Sequence, residues 1–301
     1  MLARILAEFG IGPSGLIAEG GESRVYALDA HRVLRVLRRP RDVAGLERQR
    51  VFLAGIDGRL PFATPRIEAI GPGGAWTIER RLPGTSLLVM LRRLGGSERQ
   101  AALRSYAEAV DAIATITFPD RRYGQILDDD PITAGTWRDY LRLGLDRFIA
   151  WNGPAIEAAR GDLDRLRATA LALLDTVAAT PPKALVHGDY FPGNVLIDDR
   201  LRVSGLVDFS FWTVVGDPLL DVIGTPIFLE MNDEATADDI AFVRRIILER
   251  HGDAVLGPAR FYRAYFAFAM ADPGNSDGLY PRLFPWALAN LAALAEGRME
   301  F

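Results

Sequence analysis

The chain has 301 residues, 49% of them hydrophobic and 25% charged, the balance of a water-soluble globular protein long enough for about two domains or lobes. It has no cysteine, which excludes disulfides, thiolate nucleophiles and cysteine-based zinc sites. The net charge of −4 argues against a general nucleic-acid binder.

That charge is uneven. Residues 1–80 hold twelve arginines against nine acids, while the remainder holds 23 basic and 30 acidic residues. A basic first part suits a phosphate-rich ligand and an acidic second part a cationic one, although scattered surface charge gives the same split. Lys183 is the only lysine. His31, His187 and His251 lack metal-ligand spacing. No signal peptide and no apolar run of membrane-spanning length is evident, so a cytoplasmic protein with no membrane association is expected.

Leu2 to Phe9 has helical spacing and stops at Gly10. Gly10-Ile-Gly12-Pro-Ser-Gly15 fits a dinucleotide-binding pattern literally, yet it follows a helix, contains Pro13 and opens no helix, so it reads as a loop. Leu16 to Leu28 reads as strand, turn and strand around Gly20-Gly21-Glu22-Ser23. Such a turn can be a plain hairpin, or it can bring backbone N–H groups against phosphates. His31 to Leu37 alternates as a second strand, with Arg35 on the face of Val33 and Leu37. Asp42 caps a helix predicted to run to about Ala54 and end at Gly55, with Glu47 one turn in. Further strands are predicted at Ile67 to Ile70 and Trp76 to Ile78.

After Arg80-Arg81-Leu82-Pro83-Gly84 the pattern becomes mainly helical, which places a lobe boundary at 82/83. Helices are predicted from Ser97 to about Thr117, Thr136 to about Ala150, Ala155 to Ala179, Thr236 to His251, Gly257 to Met270 and Tyr280 to Glu296. The last two are greasy enough to line an apolar pocket, although helix-core faces explain them as well. The acidic runs Asp128-Asp129-Asp130 and Asn232-Asp233-Glu234 read as solvated loops.

The chemistry concentrates between Leu185 and Asp208, where short apolar strands alternate with polar loop residues. Pro192 and Gly193 exclude a continuous helix, so one loop can aim Asp189 and Asn194 into a common cavity. Asp189 can orient or deprotonate an attacking hydroxyl. Asn194 and Asp208 supply hard oxygen ligands suited to magnesium bridging phosphates. Phosphoryl transfer asks little more than metal, a cation and a positioned nucleophile. His187 reads as a packed residue that fixes this loop. Nucleophilic serine elbows, Walker-type loops and His-Glu-x-x-His are missing. A paired-carboxylate hydrolase built on Asp189 and Asp208 leaves Asn194, Arg35 and the glycine turn unexplained.

His187-Gly-Asp189-x-x-x-x-Asn194, then Val207-Asp208-Phe209, then Gly216-Asp217-Pro218-x-x-Asp221 resemble the linked motifs of the aminoglycoside phosphotransferase and choline kinase-like family. The resemblance spans nearly the whole chain. It implies an α+β, two-lobed, protein-kinase-like fold: a small N-terminal antiparallel β-sheet lobe with a helix over 1–82, and a larger helical, catalytic and substrate-binding lobe over 83–301. It further implies a magnesium-dependent kinase that transfers the γ-phosphoryl group of ATP or GTP to a hydroxyl of a small molecule. Asp189 would be the catalytic aspartate, and Asn194 and Asp208 the metal ligands. Gly20, Gly21 and Ser23 would cover the phosphates, while the hinge at Arg80 and Leu82 would bind the purine through its backbone. Asp217 and Asp221 would brace the catalytic loop. Because Lys183 lies in the second lobe, Arg35 stands where the family has a phosphate-bridging lysine and is expected to pair with Glu47. An acidic second lobe favours an aminoglycoside or similar cationic antibiotic. A macrolide, homoserine, a choline-like amine or a sugar are the alternatives, as is a nucleotide-binding pseudokinase regulator. Oligomeric state is not legible.

Overall fold

The computed structural model describes residues 1–276 and 280–301. The N-terminal part comprises α1 (Leu2–Glu8), β1 (Leu16–Glu19), β2 (Ser23–Ala27), β3 (Arg32–Leu37), α2 (Val43–Ile56), β4 (Ile67–Ile70) and β5 (Trp76–Arg80). All five strands form one antiparallel sheet in the order β1-β2-β3-β5-β4. Alternation along β3 sends Leu34 and Val36 to one face, where with Tyr26 they bury Ile5 and Leu6 of α1. The opposite alternation leaves Arg35 on the other face, toward the rest of the molecule.

The chain then crosses through β6 (Thr85–Ser86), α3 (Leu87–Leu91), α4 (Gly96–Ile113), β7 (Tyr123–Gln125) and β8 (Thr133–Ala134) to the long α5 (Trp137–Arg160) and α6 (Leu163–Leu173). After α6 come β9 (Ala184–Val186), β10 (Val195–Ile197), β11 (Val203–Leu206) and β12 (Val214–Gly216), followed by α7 (Leu219–Glu230), α8 (Ala237–His251), α9 (Leu256–Met270) and α10 (Leu283–Ala295). Two small sheets, ordered β11-β10-β6 and β8-β7-β12-β9, hold the loops that carry Asp189 and Asp208. The expected α+β class, with an N-terminal antiparallel sheet and a helical C-terminal part, is the observed architecture. Among the described residues no helix is long and apolar enough to cross a membrane.

Several helix boundaries differ from the sequence reading: the helix expected over Ala155 to Ala179 is divided between α5 and α6, and two further differences have a clear cause. Gly55 does not end α2, which continues to Ile56 because Leu53 and Ile56 are both buried against the main core. More consequentially, the break expected near residues 151–154 does not occur, and α5 passes through Pro154. Proline costs that helix one backbone donor. Burial compensates: the Asn152 Nδ2 donates to the carbonyls of Phe268 (2.8 Å) and Ala269 (3.1 Å) on α9. The helix ends instead at Gly161, in the left-handed conformation (φ 70°).

Candidate active site

The loop between β9 and β10 is built outward from a buried aspartate. Asp221, in the first turn of α7, accepts hydrogen bonds from the backbone N–H groups of His187 (2.6 Å) and Gly188 (2.8 Å). Gly188 turns with φ 76°, and any Cβ there would collide with the Trp212 carbonyl. The position therefore demands glycine. His187 is fully buried, lies edge-on to Phe209 at 4.7 Å and meets the Val207 carbonyl through Nε2 (3.0 Å). Burial pushes its pKa down to about 4. It stays neutral and ties the two functional loops together.

Asp189 follows directly. The Asn194 Nδ2 donates both to the Asp189 carbonyl and to its Oδ2, each at 3.0 Å. The Asp189 carboxyl is pushed up to about 7, chiefly by burial and then by the facing Asp208 carboxylate, with the Asn194 hydrogen bond opposing. Asp208 sits at the end of β11 in the left-handed region (φ 66°); among the described residues only Leu201 shares this among non-glycines. Such strain is concentrated at functional sites.

Arg35 reaches across from β3. Its Nη2 donates to Asp208 Oδ1 (2.9 Å) and its Nε to Ser23 Oγ (2.9 Å). Burial would lower the basicity of this guanidinium, but the facing carboxylates of Asp208, Glu79 and Glu22 outweigh it and hold it charged. Lys183 is remote, donating to the Pro119 carbonyl and lying over the Tyr123 ring. Arg35 is thus the cation at this centre.

The glycine turn closes through a hydrogen bond from Gly20 N–H to the Ser23 carbonyl (2.9 Å), and Arg38 Nε donates to the Gly20 carbonyl (2.9 Å). Gly21 and Glu22 overhang the cleft: Glu22 shares one cavity of about 580 Å³ with Asp189, Asn194 and Asp208. Gly21 and Glu22 also line an adjoining cavity of about 790 Å³.

Three expectations need correction or relocation. Arg35 does not pair with Glu47, which accepts from Arg50 Nε (2.6 Å) on the outer side of α2. The physical reason is helical phase: Leu46, Gln49, Leu53 and Ile56 occupy the buried face, and Glu47 lies about 100° from Leu46. The residue that α2 does present to the site is Gln49, whose Nε2 donates to the Phe209 carbonyl (2.6 Å). The Arg80 side chain turns away to Asp57 (2.5 Å) and the Thr64 carbonyl (2.6 Å), while its backbone N–H is used by the Arg66 carbonyl (2.9 Å). Leu82 lies close over Gly205 of β11. Finally, Asp128 and Asp129 are not free loop acids, since they form ion pairs with Arg147 and Arg48.

Asp217 lies away from the cavity and receives a hydrogen bond from the Tyr262 hydroxyl (2.8 Å), itself bonded by Trp137 Nε1 (2.8 Å). Sequence reasoning missed Gln49, Trp151 and Tyr280. Trp151 and Tyr280 line the cavity, and the 56% exposure of Trp151 in a long helix becomes visible only in the structure.

Among the described residues no cluster of three His, Cys, Asp or Glu side chains could enclose a metal. A hard cation fits nonetheless. Asn194 spends its Nδ2 on Asp189, leaving its oxygen to coordinate, and Asp208 spends one oxygen on Arg35, leaving the other. Magnesium is commonly held by one or two protein oxygens, with phosphates and water completing the shell.

No curated protein sequence matches the chain. Similar solved structures include a thermostable mutant of aminoglycoside phosphotransferase APH(4)-Ia in its apo form (TM-score 0.68, 22% identity, covering 99% of each chain). The gentamicin complex of APH(2")-IIa is similar at TM-score 0.63 and 14% identity, covering 99% of this chain and 97% of that one. Macrolide 2'-phosphotransferase MphH from Brachybacterium faecium is similar at TM-score 0.56 and 20% identity, covering 96% and 97%. At these identities the likenesses speak for the fold. The sequence profile of the phosphotransferase enzyme family (APH) matches residues 15–262. With the Asp189 loop, the Asp208 loop and Asp221, which anchors the former, all inside that span, the chain belongs to the phosphotransferase enzyme family.

Proposed function

We propose that this phosphotransferase moves the γ-phosphoryl group of ATP or GTP to a hydroxyl of a small molecule, with residues 1–82 as the nucleotide lobe and 83–301 as the catalytic and acceptor lobe. The observation that carries the reading is the convergence of Asp189, Asn194 and Asp208 on one cavity under the glycine turn, with Arg35 bonded to Asp208. Solved structures of similar fold contain ADP, GDP or ATP, which supports a nucleotide as the donor.

Asp189 accepts the proton of the acceptor hydroxyl as its oxygen bonds to the γ-phosphorus. The bond from phosphorus to the bridging oxygen breaks, and the nucleoside diphosphate leaves. Asn194 orients Asp189 through the 3.0 Å hydrogen bond. Magnesium, held by Asn194 and Asp208, would supply positive charge to the phosphate oxygens. Arg35 provides a fixed cation beside it, and Ser23 steers that guanidinium from the turn. The hinge backbone from the Arg80 carbonyl to Leu82 would receive the purine, since the Arg80 N–H is taken by the Arg66 carbonyl.

Asp189→Ala tests the assignment. Turnover with the best acceptor should fall by roughly 10²–10⁴, while nucleotide affinity, read by titration calorimetry, stays within a few-fold of the parent. Full activity in this variant would overturn the role of Asp189.

The acceptor that charge alone suggests first is an aminoglycoside or another cationic antibiotic. The structures of similar fold include complexes with gentamicin, kanamycin and streptomycin, and two macrolide 2'-phosphotransferases.

A further inference from the structure

The cavity that holds Asp189 has an unusual lining for a receptor of polycations. Two aromatic groups face into it. On one side Trp151 of α5 stands with Phe211 and Trp212 of the loop after Asp208: the Phe211 and Trp212 rings lie 4.7 Å apart, and Trp151 and Trp212 share the Phe148 ring at 6.0 and 5.5 Å. On the other, Phe191 contacts both Tyr280 (6.2 Å) and Phe228 (6.4 Å). The Arg147 guanidinium lies over one face of the Trp151 ring, 5.9 Å from its centroid, yet the side chain stays 56% exposed, so a large apolar surface still faces the opening.

The charges are equally restrictive. Among the described residues, the cavity lining contains no arginine, lysine or histidine, and its acids are Glu22, Asp189, Asp208 and Asp272. An anionic acceptor would meet these four carboxylates, with Arg35 already engaged by Asp208. Asp189 is committed to the hydroxyl, Asp208 to Arg35 and metal, and Glu22 rides on the turn above the phosphates. Asp272 is left: its Oδ1 accepts from the Gly274 N–H (2.8 Å), and among the described residues it has no ion-pair partner. One carboxylate suits one amine, whereas a polycation would lay its remaining ammonium groups against tryptophan and phenylalanine at a desolvation cost.

Resting on the phosphotransfer reading of this cavity, we infer that its acceptor is an amphiphilic amino alcohol: a hydroxyl delivered to Asp189 from a largely apolar body, with a single amine opposite Asp272. Trp151 is the principal specificity residue. It stacks on the apolar body, and Phe211 and Trp212 extend the same surface. The cavity of about 580 Å³ is of the size that encloses a drug-sized molecule.

The test uses dimethylaminoethanol, dimethylaminohexanol and dimethylaminodecanol as acceptors, with decanediol, hydroxydecanoate and kanamycin as controls. Nucleoside diphosphate release with magnesium and ATP or GTP gives kcat/KM, and quenching of tryptophan fluorescence gives binding independently of turnover. Affinity should rise with chain length by up to about fourfold for each methylene buried. Hydroxydecanoate should not bind, and kanamycin should bind at least tenfold more weakly than dimethylaminodecanol. Trp151→Ala should flatten the chain-length slope, chiefly through KM, and Trp151→Phe should restore it. Asp272→Asn should erase the preference for dimethylaminodecanol over decanediol. A flat slope in the parent protein, tighter binding of kanamycin, or an unchanged slope in Trp151→Ala would overturn the inference while leaving phosphotransfer intact. Steep binding without release of diphosphate from any acceptor would uphold the pocket chemistry and count against the phosphotransfer reading instead.

Discussion

The Asp189 carboxyl, pushed up to about 7 by burial and the facing Asp208 carboxylate, is only half ionised near neutral pH in the free protein. Its raised value means that the proton-accepting form is lost as pH falls through 7. We expect kcat/KM to drop up to tenfold per pH unit below that point, because this parameter reports the free enzyme. Positive charge brought to Asn194 and Asp208 with the nucleotide favours the ionised form, so the acid limb of kcat should lie at lower pH than that of kcat/KM. Coincident limbs in the two profiles would contradict this electrostatic account. Arg35 supplies a second expectation at the same scale. Its two contacts, to Ser23 and Asp208, use the separate Nε and Nη2 donors of one guanidinium, a fork that an ammonium cannot copy. Arg35→Ala should lower kcat by roughly a hundredfold, in line with removing one charged group at a transferring phosphoryl. Arg35→Lys should recover the charge but not the Ser23 contact, and settle between the two in steady-state assays.

At the level of elements, the loops that matter were legible because their grammar is local. Pro192 and Gly193 forbid helix, apolar triplets mark β9 and β10, and residues 217–221 announce the start of α7; all of these are where sequence spacing puts them. The α2 contact was not legible in the same way. Glu47 and Gln49 lie two positions apart on one helix, and only the packing of Leu46, Leu53 and Ile56 decides which of them turns inward. The aromatic wall of the cavity was hidden for a related reason: it draws Trp151, Phe191, Phe211 and Tyr280 from segments spread along the chain, and α5 runs through a proline that sequence rules treat as a stop. The catalytic loop depends in turn on α7. Asp221→Ala would leave the His187 and Gly188 N–H groups buried without an acceptor, at about 1–3 kcal/mol for each. Chemical denaturation should show that loss, with Asp221→Asn milder because one carbonyl oxygen remains to accept. Loss of activity in Asp221→Ala without loss of stability would instead place Asp221 in the chemistry.

Across the whole molecule, the active centre is assembled from residues 173 positions apart, since the Arg35–Asp208 ion pair joins the N-terminal sheet to the end of β11. A second bond from the same part of the chain runs from Gln49 to Phe209, and Arg48 with Asp129 adds a third, more exposed one. Ligands that bind between these parts therefore stabilise both at once. A ligand that binds only the folded state adds about 2.7 kcal/mol at a hundred times its dissociation constant. In thermal unfolding, ATP or GTP together with magnesium should raise the melting temperature by several degrees, and either one alone by clearly less, if Asn194 and Asp208 hold the metal as proposed. Asp208→Asn removes both the cross-molecule ion pair and a metal oxygen's charge. It should lower the melting temperature of the free protein and also abolish the synergy between magnesium and nucleotide. If the free Asp208→Asn protein were as stable as the parent yet retained that synergy, the Arg35–Asp208 contact would be incidental, and the metal would have to be held by other residues.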